Sequence, residues 1–557
     1  MNSDSLIDAA RTIHGVPLQK ASLPFSSIGL LLTRRVSQYP ERPWLVFYDS
    51  NGSRSQMTFA AFYKDVVRVA LYLRSVGVQP GDRVATLAHN HPDTVVQYFA
   101  IWFIGATLVP VNATEDDERI RFILQNAHAK VLFVRDEYVA RVESLAIGAS
   151  RTTRIVYVGA GRSGLSWDRM DHIMSADVPD DSAPYTDALD HECLVVYTSG
   201  TTGNPKGVSL THGNLLSDAR GISSWHGIDD ATIMMCVLPI HHVNGTVVTL
   251  VTPLFAGASV VLCRKFQTDR FFPYIAQESV NIVSVVPTLL AFLLEGAIDT
   301  NPTDLRSLRH AICGAGPLTC ELAERFERRF RIPIIHGYGL SETTCYSCFL
   351  PLDLSPEEHE HWMFAHGFPS IGVAIPENEM DIHSAEGVSM QERDRGEIVI
   401  RGHTVMTGYY DNDQANEAAF THGWFRSGDE GFFVADSAGR RFYFITGRIK
   451  ELIIRGGVNI SPLEIDEVLN AHPGVDAAIA VAFENNWYGE EVGAYVRRRS
   501  HDVTSEDILA WCRKHLPRFK SPKVVVFGDE IPVTATGKYQ RNKVRHLFAA
   551  YRDIQFH

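Results

Sequence analysis

"YTSGTTGNPKG", residues 197–207, follows directly on the apolar run Leu194-Val195-Val196. Glycines carry no Cβ, so neighbouring N–H groups can turn toward one point. Threonine and serine hydroxyls add donors, and Lys206 adds a mobile cation. Such a stretch can cradle phosphate oxygens. It is not a Walker loop, which has Gly before its Lys and runs straight into a helix. Here Pro205 precedes Lys206, and "GVSLTHGNLL" predicts a short strand Val208–Leu210 with a helix starting at Thr211. The cradle therefore lies between strands. On these residues alone, a surface turn rich in Ser, Thr and Gly is the plain alternative.

Outward from this loop, short apolar strands alternate with amphipathic helices. "MTFAAFYKDVVRVALYLRSVGV" reads as a helix and "RVATLAHN" as a strand, followed by the apolar "TVVQYFAIWFIGATLVPVN". This pattern predicts layered α/β structure with largely parallel sheets. The uncharged stretch 246–263 is interrupted by Pro253 and Gly257. It reads as a buried helix followed by a buried strand, not as a membrane span. We expect an N-terminal extension over 1–24, a large domain over 25–447 and a β-rich part of it over about 370–447. A small mobile α+β C-terminal domain follows over 448–557. The last opens with Ser461 as N-cap, Pro462 at the first helical position and Glu464 completing a capping box.

The chain has 557 residues, 45% hydrophobic and 21% charged, with a formal net charge of −13. It has ample material for a large core, and its acidic balance argues against a nucleic-acid or anionic-membrane surface. Eight cysteines are scattered without a disulfide framework; Cys345 and Cys348 form a lone C-x-x-C with no second pair. The N-terminus has early acids and no apolar signal region, so a cytoplasmic protein with reduced cysteines is expected.

Further motifs follow in order: "LPIHHVNG" (238–245), "CGAGP" (313–317), "GYGLSET" (337–343), "SGD" (427–429), "GRIKELIIRGGVN" (447–459) and "PVTATGKYQR" (532–541). Together with "YTSGTTGNPKGV" they resemble the AMP-forming adenylating superfamily. That family includes acyl-CoA synthetases, adenylation domains of peptide synthetases and beetle luciferases. The resemblance spans residues 25–545 and is closest to a stand-alone acyl-CoA synthetase. It implies that a carboxylic acid attacks the α-phosphorus of ATP, pyrophosphate leaves, and a thiol then displaces AMP from the acyl-adenylate. An anionic acid must approach a polyanionic triphosphate, so the site needs cations and oriented donors.

By this resemblance, Thr198, Ser199, Gly200, Thr201, Thr202 and Lys206 hold the β- and γ-phosphates. Gly314, Ala315 and Gly316 lie along one face of adenine, and Tyr338, between Gly337 and Gly339, stacks on it. Glu342 helps hold Mg²⁺, and Thr343 or Ser341 reaches phosphate. Asp429 accepts from both ribose hydroxyls, and Arg448 closes on the same ribose. Lys538 bridges carboxylate and α-phosphate. Lys450 is the hinge about which the small domain turns, bringing Gly456 and Gly457 to the pantetheine arm of coenzyme A. His242 stands at the mouth of the acyl pocket, whose wall is expected to include Val247, Val285, Ala315, Gly339 and Leu340.

These walls suit a modest aliphatic or aromatic acid, while Asn244, His241 and His242 could serve a polar one. No Asp stands in "LPIHHVNG" to bind an α-amino group. The chain as given ends soon after Lys538, so the acceptor is expected from outside: free coenzyme A, or a separate carrier protein or other nucleophile. A non-catalytic nucleotide-binding relative is the minor alternative. The sequence leaves open whether the protein is a monomer or a homodimer.

Overall fold

The computed structural model describes residues 3–145, 153–161, 165–178, 182–186, 189–198, 204–296, 305–533 and 539–556. Among them, two large twisted sheets form the layered α/β body. One runs in the order Gly408–Tyr409, Lys206–Thr211, Glu192–Thr198, Thr107–Asn112, Arg83–Ala88, Val131–Arg135, Arg154–Val158, Asp168–Arg169. Its centre is parallel, and Lys206–Thr211 is antiparallel to both its neighbours. The other sheet holds Ile233–Cys236, Ile282–Val285, His310–Cys313 and Ile334–Tyr338 side by side and parallel.

The helix Phe59–Ser75 shows why the pattern folds this way. Thr58 caps it by accepting from the Ala61 N–H, and Phe59, Phe62, Val66, Val69, Ala70 and Leu73 line one buried face. The helix Pro92–Phe103 is mostly apolar and is buried on every face from Thr94 onward. Its Trp102 indole donates to the Cys193 carbonyl at 2.8 Å, fixing the strand that leads into the glycine-rich segment. The uncharged stretch proves to be a π-helix, Asn244–Val251, running into the helix Thr252–Ala256 and the buried strand Ser259–Cys263. No helix among the described residues is long and apolar enough to cross a membrane.

A four-stranded antiparallel sheet, Asn378–His383, Gly396–Gly402, Phe425–Ala435 and Arg441–Arg448, forms the β-rich part. Beyond Arg448 the chain builds a further sheet with a core of its own, including Ile453, Ile460, Ile465, Leu469, Val492 and Ile508, all fully buried. At about 1.5–3 kcal/mol per buried aliphatic side chain, that core supports an independently packed body. Its first helix, Pro462–Asn470, is capped by Ser461, which accepts from the Glu464 N–H. The expected reciprocal half of the capping box is absent. The Glu464 carboxylate instead takes two bonds from Lys520 Nζ, each 2.7 Å, because a full positive charge is a stronger partner than a backbone N–H.

Candidate active site

Thr198 ends one strand and Lys206 begins the next, and the two residues face each other in register. They are the two ends of the glycine-rich segment; Ser199, Gly200, Thr201 and Thr202 themselves lie outside the described residues. The strand Lys206–Thr211 starts as soon as the loop ends, and Thr211 caps the helix His212–Trp225 through a capping box with Asn214. On its other edge this strand pairs with Gly408–Tyr409. Lys206 Nζ lies 4.6 Å from the centre of the Tyr409 ring, a cation–π contact. The Tyr409 hydroxyl donates to Glu342 Oε1 at 2.9 Å. Burial first, and Glu342 second, push this phenol far above its usual range, so it stays a neutral donor.

Glu342 sits in the 3-10 turn Ser341–Thr343, just past the strand Ile334–Tyr338. The turn is tightly wound. Thr344 has φ 66° and ψ −65°, with the Cys345 N–H donating to the Thr343 carbonyl at 2.8 Å: a strained γ-turn at a β-branched residue. Thr404 holds it, its carbonyl accepting from the Thr344 hydroxyl at 2.6 Å. Gly339 is obligatory, since a Cβ there would lie 1.8 Å from the Cys345 carbonyl oxygen. Thr343 is fully buried and its hydroxyl accepts from the Leu340 N–H, whereas Ser341 is half-buried. A carboxylate such as that of Glu342 fits Mg²⁺, which takes one or two protein carboxylates together with phosphate oxygens.

Gly314, Ala315 and Gly316 follow the strand His310–Cys313; Ala315 and Gly316 border the same cavity as Gly337, Tyr338 and Gly339, while Gly314 packs behind them against Tyr346. Asp429 and Arg448 also border it. These two are paired across adjacent antiparallel strands, and Arg448 Nε contacts Asp429 Oδ1 at 2.8 Å. The other oxygen, Oδ2, accepts from the Tyr338 hydroxyl at 2.6 Å. Both carboxylate oxygens already have a protein donor, and each keeps lone-pair capacity for a further hydroxyl. Asp429 holds the Arg448 guanidinium more firmly protonated, and burial with Asp429 raises the Tyr338 phenol.

The far wall of the cavity belongs to the small body: Pro462, Leu463, Asp466, Glu467, Tyr539 and Arg541. Lys538 lies outside the described residues, and its successor Tyr539 is on this wall. Arg541 anchors the segment, donating to Asp466 Oδ1 at 3.0 Å and to the Ala480 carbonyl at 2.8 Å, deep in the small body. Lys450 sits in the turn Ile449–Glu451 between the two bodies. Gly456 and Gly457 are not at the cavity. With φ 56° and 84° they form the tip of a hairpin in which Arg455 faces Val458. That is the two-residue turn glycine favours.

At "LPIHHVNG" the His241 and His242 rings lie 4.3 Å apart. Burial first, and His242 second, hold the His241 imidazole well below its usual pKa, and its Nε2 is buried without a hydrogen-bond partner. Asn244 accepts from the Ser284 hydroxyl at 2.7 Å and donates to the Tyr346 hydroxyl at 3.3 Å. Val247 and Val285 are fully buried; Ala315 and Leu340 are half-buried. Among the described residues, no group of three or more His, Cys, Asp or Glu could hold a metal ion on its own, and all eight cysteines are free.

Sequence reasoning missed Tyr409, Glu467, Tyr539 and Arg541. Arg541 carried a readable signal, a charge three residues past Lys538 in the same motif. Tyr409 did not, because only strand pairing brings it to Glu342.

The family model described as AMP-binding enzyme matches residues 32–410, and that described as AMP-binding enzyme C-terminal domain matches 464–538. The chain is 34% identical over 525 residues to an oxalate–CoA ligase of Arabidopsis thaliana, covering 93% of this chain and 98% of the relative. It is 33% identical over 522 residues to a sulfoacetate–CoA ligase of Cupriavidus necator, covering 93% and 97%. Among solved structures, o-succinylbenzoate CoA synthetase from Bacillus subtilis with its acyl-adenylate intermediate superposes with a TM-score of 0.78. It is 28% identical, with 92% of this chain and 97% of that one covered. ATP-bound MatB from Rhodopseudomonas palustris gives 0.82 at 25% identity, covering 94% and 99%. The fold is that of adenylate-forming enzymes, and the protein is a ligase that uses ATP to form an acyl-adenylate and transfers the acyl group to coenzyme A. The chain belongs to the family of AMP-binding enzymes.

Proposed function

We propose the following division of labour for this ligase. The segment Thr198–Lys206 holds the β- and γ-phosphates. Tyr338 and the turn Gly314–Gly316 hold adenine, and Asp429 with Arg448 holds the ribose. Glu342 is the protein ligand for Mg²⁺, which when bound neutralises phosphate charge. Lys538 supplies the cation between carboxylate and α-phosphate, lowering the repulsion that opposes attack. His242 stands at the entrance to the acid's pocket. After acyl-AMP forms, the small body turns about Lys450 and the Gly456–Gly457 tip meets the pantetheine arm.

One observation carries this reading. Tyr338, Asp429 and Arg448 from the large body, and Tyr539 and Arg541 from the body that holds Lys538, wall a single cavity. The acid is a small carboxylic acid, and free coenzyme A is the acceptor rather than a carrier protein. The eight free cysteines support a reducing, cytoplasmic setting. The test is a panel of carboxylic acids with ATP, Mg²⁺ and either coenzyme A or an acyl carrier protein, reading AMP release and thioester mass. Thioester on coenzyme A with stoichiometric AMP is expected; no pyrophosphate release with any acid overturns the reading.

A further inference from the structure

The helix Cys320–Phe330 of the large body begins with an N–H that no described group of that body satisfies. Thr319, its N-cap, takes the Leu322 N–H and leaves that of Cys320. The Cys320 N–H instead donates across the domain boundary to both carboxyl oxygens of Glu467, at 3.2 and 3.1 Å. Glu467 lies on the first helix of the small body, Pro462–Asn470, one residue after the Asp466 that anchors Arg541. The contact therefore joins the large body to the helix that anchors Arg541, three residues after Lys538. It belongs to the domain orientation in which Tyr539 shares a cavity with Tyr338 and Asp429, since any large turn of the small body parts the two helices.

We propose that Glu467 is a positioning residue, a latch that holds the small body in the acid-activating orientation and must release before the acyl group passes to the thiol. This rests on the two-orientation reading above. The surroundings make the latch sensitive to protons. Burial raises the Glu467 carboxyl from 4.5 to about 8, helped by Asp466 on its own helix and Glu321 on the facing one and opposed by the Cys320 N–H. Tyr539 faces it from the C-terminal segment, and the nearby cation, Arg541, is engaged by Asp466. The sign follows: a carboxyl raised on docking favours the docked state below 4.5, and this preference is lost as pH rises through about 8.

The experiment compares wild type, Glu467→Ala and Glu467→Gln in two half-reactions, acid-dependent ATP–pyrophosphate exchange and thioester formation from preformed acyl-AMP. Trypsin cleavage in the exposed turn around Lys450 reports domain orientation without catalysis. Glu467→Ala should slow exchange about tenfold, leave thioester formation unchanged or faster, and speed cleavage. Glu467→Gln, which is neutral and of the same shape, should restore exchange at pH 7. It should also lack the roughly tenfold fall in docking that the wild type shows between pH 7 and 9. Equal slowing of both half-reactions, no slowing of exchange, or a pH fall retained in Glu467→Gln overturns the latch. Absence of exchange in the wild type with every acid overturns instead the reading on which the latch rests.

Discussion

The hydroxyl of Tyr409 donates to Glu342 Oε1 at 2.9 Å, while its ring lies 4.6 Å from the ammonium of Lys206. One side chain thus spaces the cation of the phosphate-loop segment from the carboxylate proposed to hold Mg²⁺. Tyr409→Phe keeps the ring and removes the bond. A hydrogen bond to a charged group contributes about 1.5–3 kcal/mol, so we expect Mn²⁺ affinity, read by electron paramagnetic resonance in the presence of ATP, to fall about tenfold. The KM for the acid should stay within twofold or so.

Asp429→Ala removes the acceptor for Tyr338 and Arg448 and leaves both without their buried partner. ATP binding should weaken by about tenfold or more, and acid binding much less. Michaelis constants for the two substrates check this; an unchanged value for ATP removes the ribose assignment.

Gly339→Ala would put a methyl 1.8 Å from the Cys345 carbonyl oxygen. The γ-turn at Thr344 is already strained and cannot yield cheaply. We expect a loss of about 3 kcal/mol in stability and a displaced Glu342. Thermal unfolding with and without ATP–Mg²⁺ reads both.

Lys538→Ala should cripple pyrophosphate exchange by about a hundredfold or more while preformed acyl-AMP still reacts with coenzyme A. Equal loss in both steps refutes a turning small body.

The Cβ introduced by Gly457→Leu meets no atom within 4 Å in this orientation, though the φ of 84° costs a side chain about 1–2 kcal/mol. Exchange should survive, and thioester release should fall steeply. Loss of exchange counts against the channel.

Much of this was legible in the sequence because local chemistry dictated it. The helix start near Thr211, the strand out of the glycine-rich segment, and the helix end at Gly257 each follow from short-range preference; Pro253 interrupts nothing, since the π-helix Asn244–Val251 runs straight into Thr252–Ala256. The motifs located Asp429 and Arg448, and strand register then placed them opposite each other. What could not be read depends on long-range pairing. Tyr409 reaches Glu342 through a two-residue edge strand, and Glu467 finds the Cys320 N–H only once two bodies dock. The Glu464 capping box failed for the same reason: Lys520, far along the chain, outbid a neighbouring N–H.

The hairpin tip at Gly456–Gly457 has a consequence for handling the protein. Ile454, Val458 and nearby Trp487 stand about half in water around it, at 53%, 47% and 58% exposure. Oily side chains gathered on a projecting tip are adhesive. Self-association in concentrated solution should therefore track which ligand is bound, being greatest with ATP and least when a thiol ligand draws the tip under cover.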